Sequence, residues 1–177
     1  MFSFNIEPFV GALPVRFGMF RAEVHGLLGT PEASHPVWNR SGTTEYWNKS
    51  RINVGYDNDG VVRHVGFCPA GCELLLRGTL LWSLNEQPDP NEQLLRIDPT
   101  PVESVGILIY PALGISTTGY HDGDENQLAL AISPAGEWDD VVRDANRPDL
   151  SKYRLQKGSG RTGGVMLSAP WPRHARR

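Results

Sequence analysis

The sequence predicts an α+β protein in which a mainly antiparallel β-sheet is covered on one face by two or three short helices. Two observations support this class: from Thr43 onwards most apolar segments have a period of two, and short segments with a helical period are interspersed among them. At 177 residues, 40% of them hydrophobic, the chain suits one domain with its own core. We expect a domain at 1–151, which could divide into halves 1–84 and 85–151, and a tail at 152–177.

The first half begins with strand and helix signals. Apolar and polar residues alternate weakly along FSFNI, which predicts a short edge strand. In FRAEVHGLLG the apolar residues share one helical face, and the following GTP is a strong stop. We predict a helix from about Phe20 to Leu28, with His25 off its apolar stripe and in solvent.

The strands follow. We predict strands at TEYWNKS, RINVGYD and VVRHVGF. A tight turn at Asn58-Asp59-Gly60 joins the last two of them. Simple alternation puts two sets of side chains in the third segment on opposite faces: Val61, Arg63, Val65 and Phe67 on one, and Val62, His64 and Gly66 on the other. ELLLRGTLLW favours a strand over a helix.

The second half repeats this order. PNEQLLRI predicts a helix, with Asp89 as a cap and Pro90 in the first helical position. ILIYPALGISTTGY and QLALAIS predict strands, and EWDDVVRDA a last short helix. The sequence leaves open whether the two halves form a tandem repeat of a helix and a β-hairpin.

Two related segments, GYDNDG at 55–60 and GYHDGDENQ at 119–127, lie between predicted strands. Both are first of all hairpin turns, in which Gly60 and Gly123 serve the backbone. Asp122, Asp124 and Asn126 alternate like calcium ligands, but the positions for Gly and Glu in an EF-hand loop are occupied by other residues, so an EF-hand is excluded. A looser divalent-ion site at 122–126 stays open; no metal or other cofactor is expected.

The charge is unevenly distributed. All 20 acidic residues lie in 1–151 beside ten of the 17 basic ones, so this part has a net charge of −10, whereas 152–177 has seven basic residues and no acidic one. An acidic body favours a partner with a basic surface and disfavours nucleic acid. The Gly-, Ser-, Pro- and Arg-rich tail is typical of a flexible, solubilising or self-docking segment.

No catalytic motif is apparent. His121 and Asp122 are adjacent, and adjacent side chains on an extended strand point to opposite sides, so these two are poorly placed to act on the same atom. Cys68 and Cys72 lack the spacing of a zinc site and are expected to be small buried or loop thiols.

There is neither a signal-peptide pattern nor an apolar run long enough for a membrane helix, so we expect a cytoplasmic protein without a membrane partner.

Recognition is the remaining function. Amphipathic aromatic residues bordered by carboxylates are typical of binding surfaces. Trp38, Tyr46 and Trp47 add further large side chains, although the latter two could simply alternate between surface and core. The predicted partner-binding residues are Tyr120, His121, Asp122, Asp124, Glu125, Tyr56, Asp57, Asp59, Trp138, Asp139 and Asp140.

Two segments resemble known groups. PVRFGMFRAEVHGLLGTP resembles the helix motif of the fold group that contains the small outer-membrane assembly lipoprotein and the β-lactamase inhibitor protein. The matching residues are Phe17, Gly18, Met19, Val24, Leu27, Leu28, Gly29 and Pro31, and Phe20 stands where the pattern has Thr. This resemblance implies helix-and-sheet units, often in tandem.

The segment VGILIYPALGISTTGYHDGDENQLALAISPAGEWDD resembles small bacterial proteins found among polymorphic-toxin immunity proteins. It implies a cytoplasmic antitoxin that occludes the active site of a cognate protein toxin. We therefore predict a non-enzymatic binding protein. The alternatives are a metal-dependent or hydrolytic enzyme using His121, Asp122 and Asp124, and a small-ligand module with a cavity between helices and sheet.

Overall fold

The computed structural model describes residues 2–37, 42–86, 88–124 and 127–153 and has a mixed α+β architecture with mostly antiparallel strands. The predicted α+β class with a mainly antiparallel sheet is confirmed. The predicted tail lies outside these ranges from residue 154 onwards, as do Trp38 and Glu125.

Three short α-helices occur within these ranges: α1 (Arg21–Leu28), α2 (Asn91–Ile97) and α3 (Asp139–Asp144). The α1 helix begins one residue after its predicted start because Phe20 is extended and its N–H donates to the Glu23 carboxylate at 2.7 Å. Before α2 the Asp89 carboxylate accepts the Asn91 N–H at 2.9 Å, which is the hydrogen bond predicted for Asp89. The helix itself begins at Asn91, one residue after Pro90, its predicted first position. No helix in the described part of the chain is long and apolar enough to cross a membrane.

The larger sheet has eight antiparallel strands in the order β10-β11-β12-β13-β7-β6-β5-β4. Their bounds are Ala33–Pro36 (β4), Thr43–Trp47 (β5), Ile52–Tyr56 (β6), Val62–Phe67 (β7), Val102–Ser104 (β10), Ile107–Tyr110 (β11), Ile115–Thr118 (β12) and Ala129–Ile132 (β13). One meander of four strands follows α1 and another follows α2. Antiparallel pairing of β7 with β13 joins the two meanders into one sheet.

The smaller sheet has five strands in the order β3-β2-β1-β8-β9. Their bounds are Ser3–Glu7 (β1), Gly11–Leu13 (β2), Val15–Arg16 (β3), Glu73–Leu76 (β8) and Thr79–Trp82 (β9). The edge position predicted for FSFNI is wrong, because β1 lies between β2 and β8 and pairs with β8 in parallel. Phe4 and Ile6 are consequently fully buried. The strand prediction for ELLLRGTLLW is confirmed by β8 and β9.

The hydrophobic core fills the space between the two sheets. The rings of Phe4 in β1 and Phe67 in β7 lie 5.3 Å apart between centroids. Val24 of α1 and Leu94 of α2 are fully buried in the same cluster. We call the side of the eight-stranded sheet that faces this core the core face, and the opposite side the open face.

A β-bulge changes which side chains of β7 face the core. Gly55 pairs with His64 but Tyr56 pairs with Val62, so Arg63 is the extra residue. Val62 therefore lies on the core face and is fully buried, while Arg63 is exposed. The strict alternation predicted for Val62 and Arg63 is wrong for this reason.

Candidate functional site

A groove of about 860 Å³ lies along the open face of the eight-stranded sheet. Strands β5, β6, β7, β13, β12 and β11 all contribute to its lining, and the segment after β13 forms one side. This size falls in the range of roughly 300–1,000 Å³ that is usual for ligand-binding clefts. The sequence does not predict a groove on this face.

The floor of the groove consists of small residues on four neighbouring strands. Gly66 of β7 pairs with Ala131 of β13, which in turn pairs with Ser116 of β12. Gly55 of β6 and Ala129 of β13 extend this row. Because directly opposed residues of antiparallel strands point to the same face, these positions form one continuous shallow surface.

Two glycines allow polar side chains to lie flat on this floor. A Cβ at Gly66 would come 2.6 Å from Nδ2 of Asn53, so the Asn53 amide occupies the space that a side chain at Gly66 would take. A Cβ at Gly55 would come 3.1 Å from Cβ of His64. The absence of a side chain at Gly66 therefore leaves room for the Asn53 amide, and its absence at Gly55 leaves room for the close approach of His64.

One end of the groove is formed where β6 ends and β7 begins. The Asp57 carboxylate accepts hydrogen bonds from the N–H groups of Val61 and Asp59 and from Nε of Arg63 at 3.0 Å. The Val61 N–H, with a smaller contribution from the Arg63 guanidinium, holds the pKa of Asp57 below its ordinary value. The bulge that exposes Arg63 thus gives Asp57 its partner.

The chain leaving β13 also reaches the groove, and α3 then packs against the edge strand β10. Glu137 and Trp138 line the groove together with Asp57, and Asp139 and Asp140 follow in the first turn of α3, exposed to solvent. Register explains the proximity, because Ile132 pairs with Val65 and the next residues of β13 run towards the start of β7. We call the carboxylates of these two segments, Asp57, Asp59, Glu137, Asp139 and Asp140, the acidic end; of these, Asp57 and Glu137 line the groove.

Trp138 carries a polar atom that is not hydrogen-bonded. Its Nε1 is buried and has no hydrogen-bond acceptor among the described residues. Buried N–H groups are nearly always paired in folded proteins, with protein, water or ligand. The Trp138 ring therefore lines the groove while its N–H lies beneath the surface, out of reach of solvent.

The segment GYHDGDENQ connects β12 to β13 and forms the loop 119–128, which we call the tip loop. Gly60 and Gly123 have φ values of 75° and 80°, so both segments are hairpin connections in which glycine serves the backbone, as predicted. The tip loop lies at the opposite end of the sheet from the β6–β7 turn, since β13 begins beside Phe67, the last residue of β7. Asp57 and Trp138, from two of the three predicted acidic clusters, therefore line the groove, whereas the described residues of the tip-loop cluster do not.

The two tyrosines predicted for partner binding lie inside the molecule. Tyr56 is 2% exposed and Tyr120 is 9% exposed, and burial raises the pKa of both hydroxyls. They position the two hairpin connections from within the core and present little area to a partner. Trp47 is buried and Tyr46 is half-buried on the open face, which confirms that these two residues alternate.

The predicted residues of the tip loop are arranged as a turn. The His121 side chain is 5% exposed, and neither ring nitrogen has a hydrogen-bond partner within the described ranges; its Nε2 lies 3.8 Å from the Glu103 carboxylate. Asp122 is exposed and its Oδ1 accepts the N–H of Asp124, whose Oδ2 accepts from Nε2 of Gln127. His121 and Asp122 therefore do not converge on one point.

A buried cluster of charged side chains around Glu45 was not predicted from the sequence. Oε2 of Glu45, a residue 4% exposed, lies 2.7 Å from Nε2 of His25, and its Oε1 lies 3.4 Å from Nε of Arg21. The prediction that His25 is simply solvated is wrong, because α1 packs over β5 and brings the ring onto Glu45. An acidic residue at a core-facing position, two before buried Trp47, was the available signal.

The two cysteines are held as buried or half-buried thiols. Cys68 is half-buried and Cys72 fully buried; both thiols are free, and burial raises the pKa of Cys72 to about 12. The prediction of two small buried or loop thiols is confirmed. Within the described ranges, no group of three or more His, Cys, Asp and Glu residues is arranged to hold a metal ion.

Comparison with known proteins gives no relative: no family model, curated protein or solved structure matches this chain.

Proposed function

We propose that the chain is a non-enzymatic binding protein, an immunity protein that neutralises a bacterial toxin by holding it against the groove and occluding its active site. One observation carries the proposal. Two carboxylates more than 70 residues apart in sequence, Asp57 and Glu137, both line the same concave sheet face, and further acidic residues follow each of them in the sequence. Concave shape together with one sign of charge is what a convex, oppositely charged partner requires.

The charge at this end supports a basic partner. Asp139 and Asp140 are exposed, and Asp140 pairs with Arg143 at 3.1 Å within the same helix. An exposed pair of this kind contributes little energy and can exchange for an intermolecular one. Steering by several carboxylates mainly raises the association rate, which suits an antitoxin that must capture its target quickly.

We infer in addition that the two halves are a tandem repeat. Each half consists of a helix followed by a four-stranded antiparallel meander, α1 with β4 to β7 and α2 with β10 to β13. The GYDNDG and GYHDGDENQ segments both connect the third and fourth strands of their meanders. In this proposal duplication supplies the width of the open face, while α1 and α2 cover the core face.

The proposed site of action is the cytoplasm, where a cell exposed to its own toxin needs the antitoxin. The test is co-expression with the protein encoded by the neighbouring toxin gene, followed by purification through a tag on that protein. The proposal requires a stoichiometric complex and survival of cells that otherwise die. Recovery of the toxin alone, with no protection of the cells, would overturn it.

The enzyme alternative built on His121, Asp122 and Asp124 stays a prediction. None of these three residues lines the groove, and the described side chains of the tip loop bond mainly to one another. Its test is a metal titration of the purified chain: a stoichiometric divalent ion lost in the Asp122→Asn variant would favour it.

A further inference from the structure

The chain that follows α3 returns to the rest of the fold through one short segment, 145–153, which we call the clasp. Its residue Asn146 pairs with Glu103 of the edge strand β10, and the N–H of each donates to the carbonyl oxygen of the other at 2.9 Å. Leu150 packs against the hydrophobic core. The clasp then ends in a short 3₁₀ turn at Ser151–Tyr153. It is therefore attached to the domain at its beginning, its middle and its end.

The hydroxyl of Tyr153 lies in a polar network with residues from two other parts of the chain. It donates to the Asp89 carboxylate, accepts from Nδ2 of Asn91 at 3.1 Å and lies 3.2 Å from the carbonyl oxygen of Tyr120. Burial, followed by the hydrogen bond to Asp89, raises the pKa of this hydroxyl, so it stays a proton donor at neutral pH. One hydroxyl thus joins the clasp to the start of α2 and to the tip loop.

The helix α3 depends on what comes before and after it. It has six residues, none of them buried, and no side-chain cap at its first turn. Helices of this length are not stable on their own in water. On one side Trp138 has its indole N–H buried, and on the other side the clasp follows directly. The clasp is therefore one of the two attachments that determine where α3 lies.

The clasp and α3 together cover one margin of the eight-stranded sheet. The helix packs against β10, and the pairing with Asn146 occupies the N–H and the carbonyl oxygen of Glu103 on this edge strand. Beside it on the open face, Ile109 and Ser116 pair with each other and are both buried. An uncovered edge strand can pair with a strand of another chain. The clasp thus covers backbone groups that would otherwise be available for such pairing.

We propose that the clasp and α3 open and close as one unit, and that the Tyr153 hydroxyl stabilises the closed state. Opening breaks the hydrogen bonds of Tyr153 and Asn146 and leaves the two sheets and the core between them in place. Segments with few buried contacts commonly open in this way, well below the free energy of global unfolding. Because α3 carries Asp139 and Asp140, the acidic end is complete only in the closed state. This inference concerns the fold and does not depend on the proposed function.

The experiment measures amide hydrogen exchange of the full chain by NMR, without urea and at low urea concentrations. Three N–H groups report on the opening: those of Glu103 and Asn146 in the paired backbone, and that of Val142 in α3, which donates to the Trp138 carbonyl oxygen at 2.8 Å. Tyr153→Phe removes only the hydroxyl. Tyr46→Phe makes the same chemical change at a half-buried position on the open face and is the matched control.

The proposal requires similar protection of the three N–H groups in the unaltered chain, little changed by low urea, and a loss of protection of about tenfold or more in all three in Tyr153→Phe. Tyr46→Phe should leave them unchanged. A loss confined to Glu103 and Asn146 would overturn the coupling of the clasp to α3. Protection as high as that of the most protected amides would also overturn it, because the clasp would then open only with the whole fold. Unchanged exchange in Tyr153→Phe would overturn the role of the hydroxyl.

Discussion

The Asn53 side chain lies flat over Gly66, so that a Cβ added at Gly66 would come 2.6 Å from Nδ2 and 2.7 Å from Oδ1 of the amide. These two residues face each other across β6 and β7, where Asn53 pairs with Gly66 in register. The glycine therefore determines the depth of the groove at its centre. Changing it should affect the groove more than the core.

Gly66→Ala should push the Asn53 amide into the groove and weaken binding of the proposed toxin partner several-fold. The free energy of unfolding should change by less than about 1 kcal/mol, because the far end of a flexible side chain can move. The double variant Asn53→Ala/Gly66→Ala removes the clash and should bind more strongly than Gly66→Ala alone. Gly26→Ala, on α1 with nothing within 4 Å of the added Cβ, is the control and should leave binding unchanged.

Glu45→Gln should destabilise the fold by about 1–3 kcal/mol in urea denaturation, because it removes the charge that faces both His25 and Arg21 in a buried setting. Glu92→Gln, an exposed position in the first turn of α2, should cost less than about 0.5 kcal/mol. Equal effects of the two substitutions would show that the cluster does not hold α1 against β5.

Asn91→Ala should cost about 3 kcal/mol, measured by the same method. Oδ1 of this fully buried residue accepts from the Tyr110 hydroxyl at 2.9 Å and from Oγ1 of Thr117 at 2.8 Å, and both donors would lose their acceptor. Asn85→Ala, in an exposed turn, is the control. A loss below about 1 kcal/mol would mean that water replaces the amide.

Asp57 should titrate below the ordinary aspartate value of about 3.9 in NMR measurements of its carboxyl carbon. A depressed pKa in the folded state means that its contribution to stability is present above the unfolded pKa and is lost as pH falls through the folded pKa. Arg63→Gln should raise the midpoint only part of the way, because the Val61 N–H is the larger cause. A midpoint at or above the ordinary value in the unaltered protein would contradict the geometry of this turn.

Local signals in the sequence were sufficient for much of the fold. The turn at Asn58-Asp59-Gly60, the Asp89 cap and the alternation of Tyr46 with Trp47 depend on neighbours within a few residues, and each is present in the structure. The interior position of β1 could not be predicted, because it depends on parallel pairing with a strand about 70 residues away.

The candidate site was predicted only in fragments. Asp57 and Trp138 were singled out for their chemistry, but their meeting at one groove depends on the pairing of β7 with β13. The floor of the groove was not predicted from the sequence, because small residues such as Gly66 and Ala131 have no reactive or charged group that would indicate a site. Their importance comes from lying side by side on strands that are far apart in the sequence.

The central claim, that the acidic end of the groove holds a basic protein partner, is tested most directly by calorimetric titration of the neighbouring toxin with two charge-reversed variants. Asp139→Lys/Asp140→Lys alters the acidic end, and Asp122→Lys/Asp124→Lys changes the charge of the tip loop by the same amount, at two residues that do not line the groove. The account predicts that the first variant weakens binding about tenfold or more at low salt and that the second weakens it less than about threefold. Unchanged affinity of the first variant, with the loss confined to the second, would contradict it.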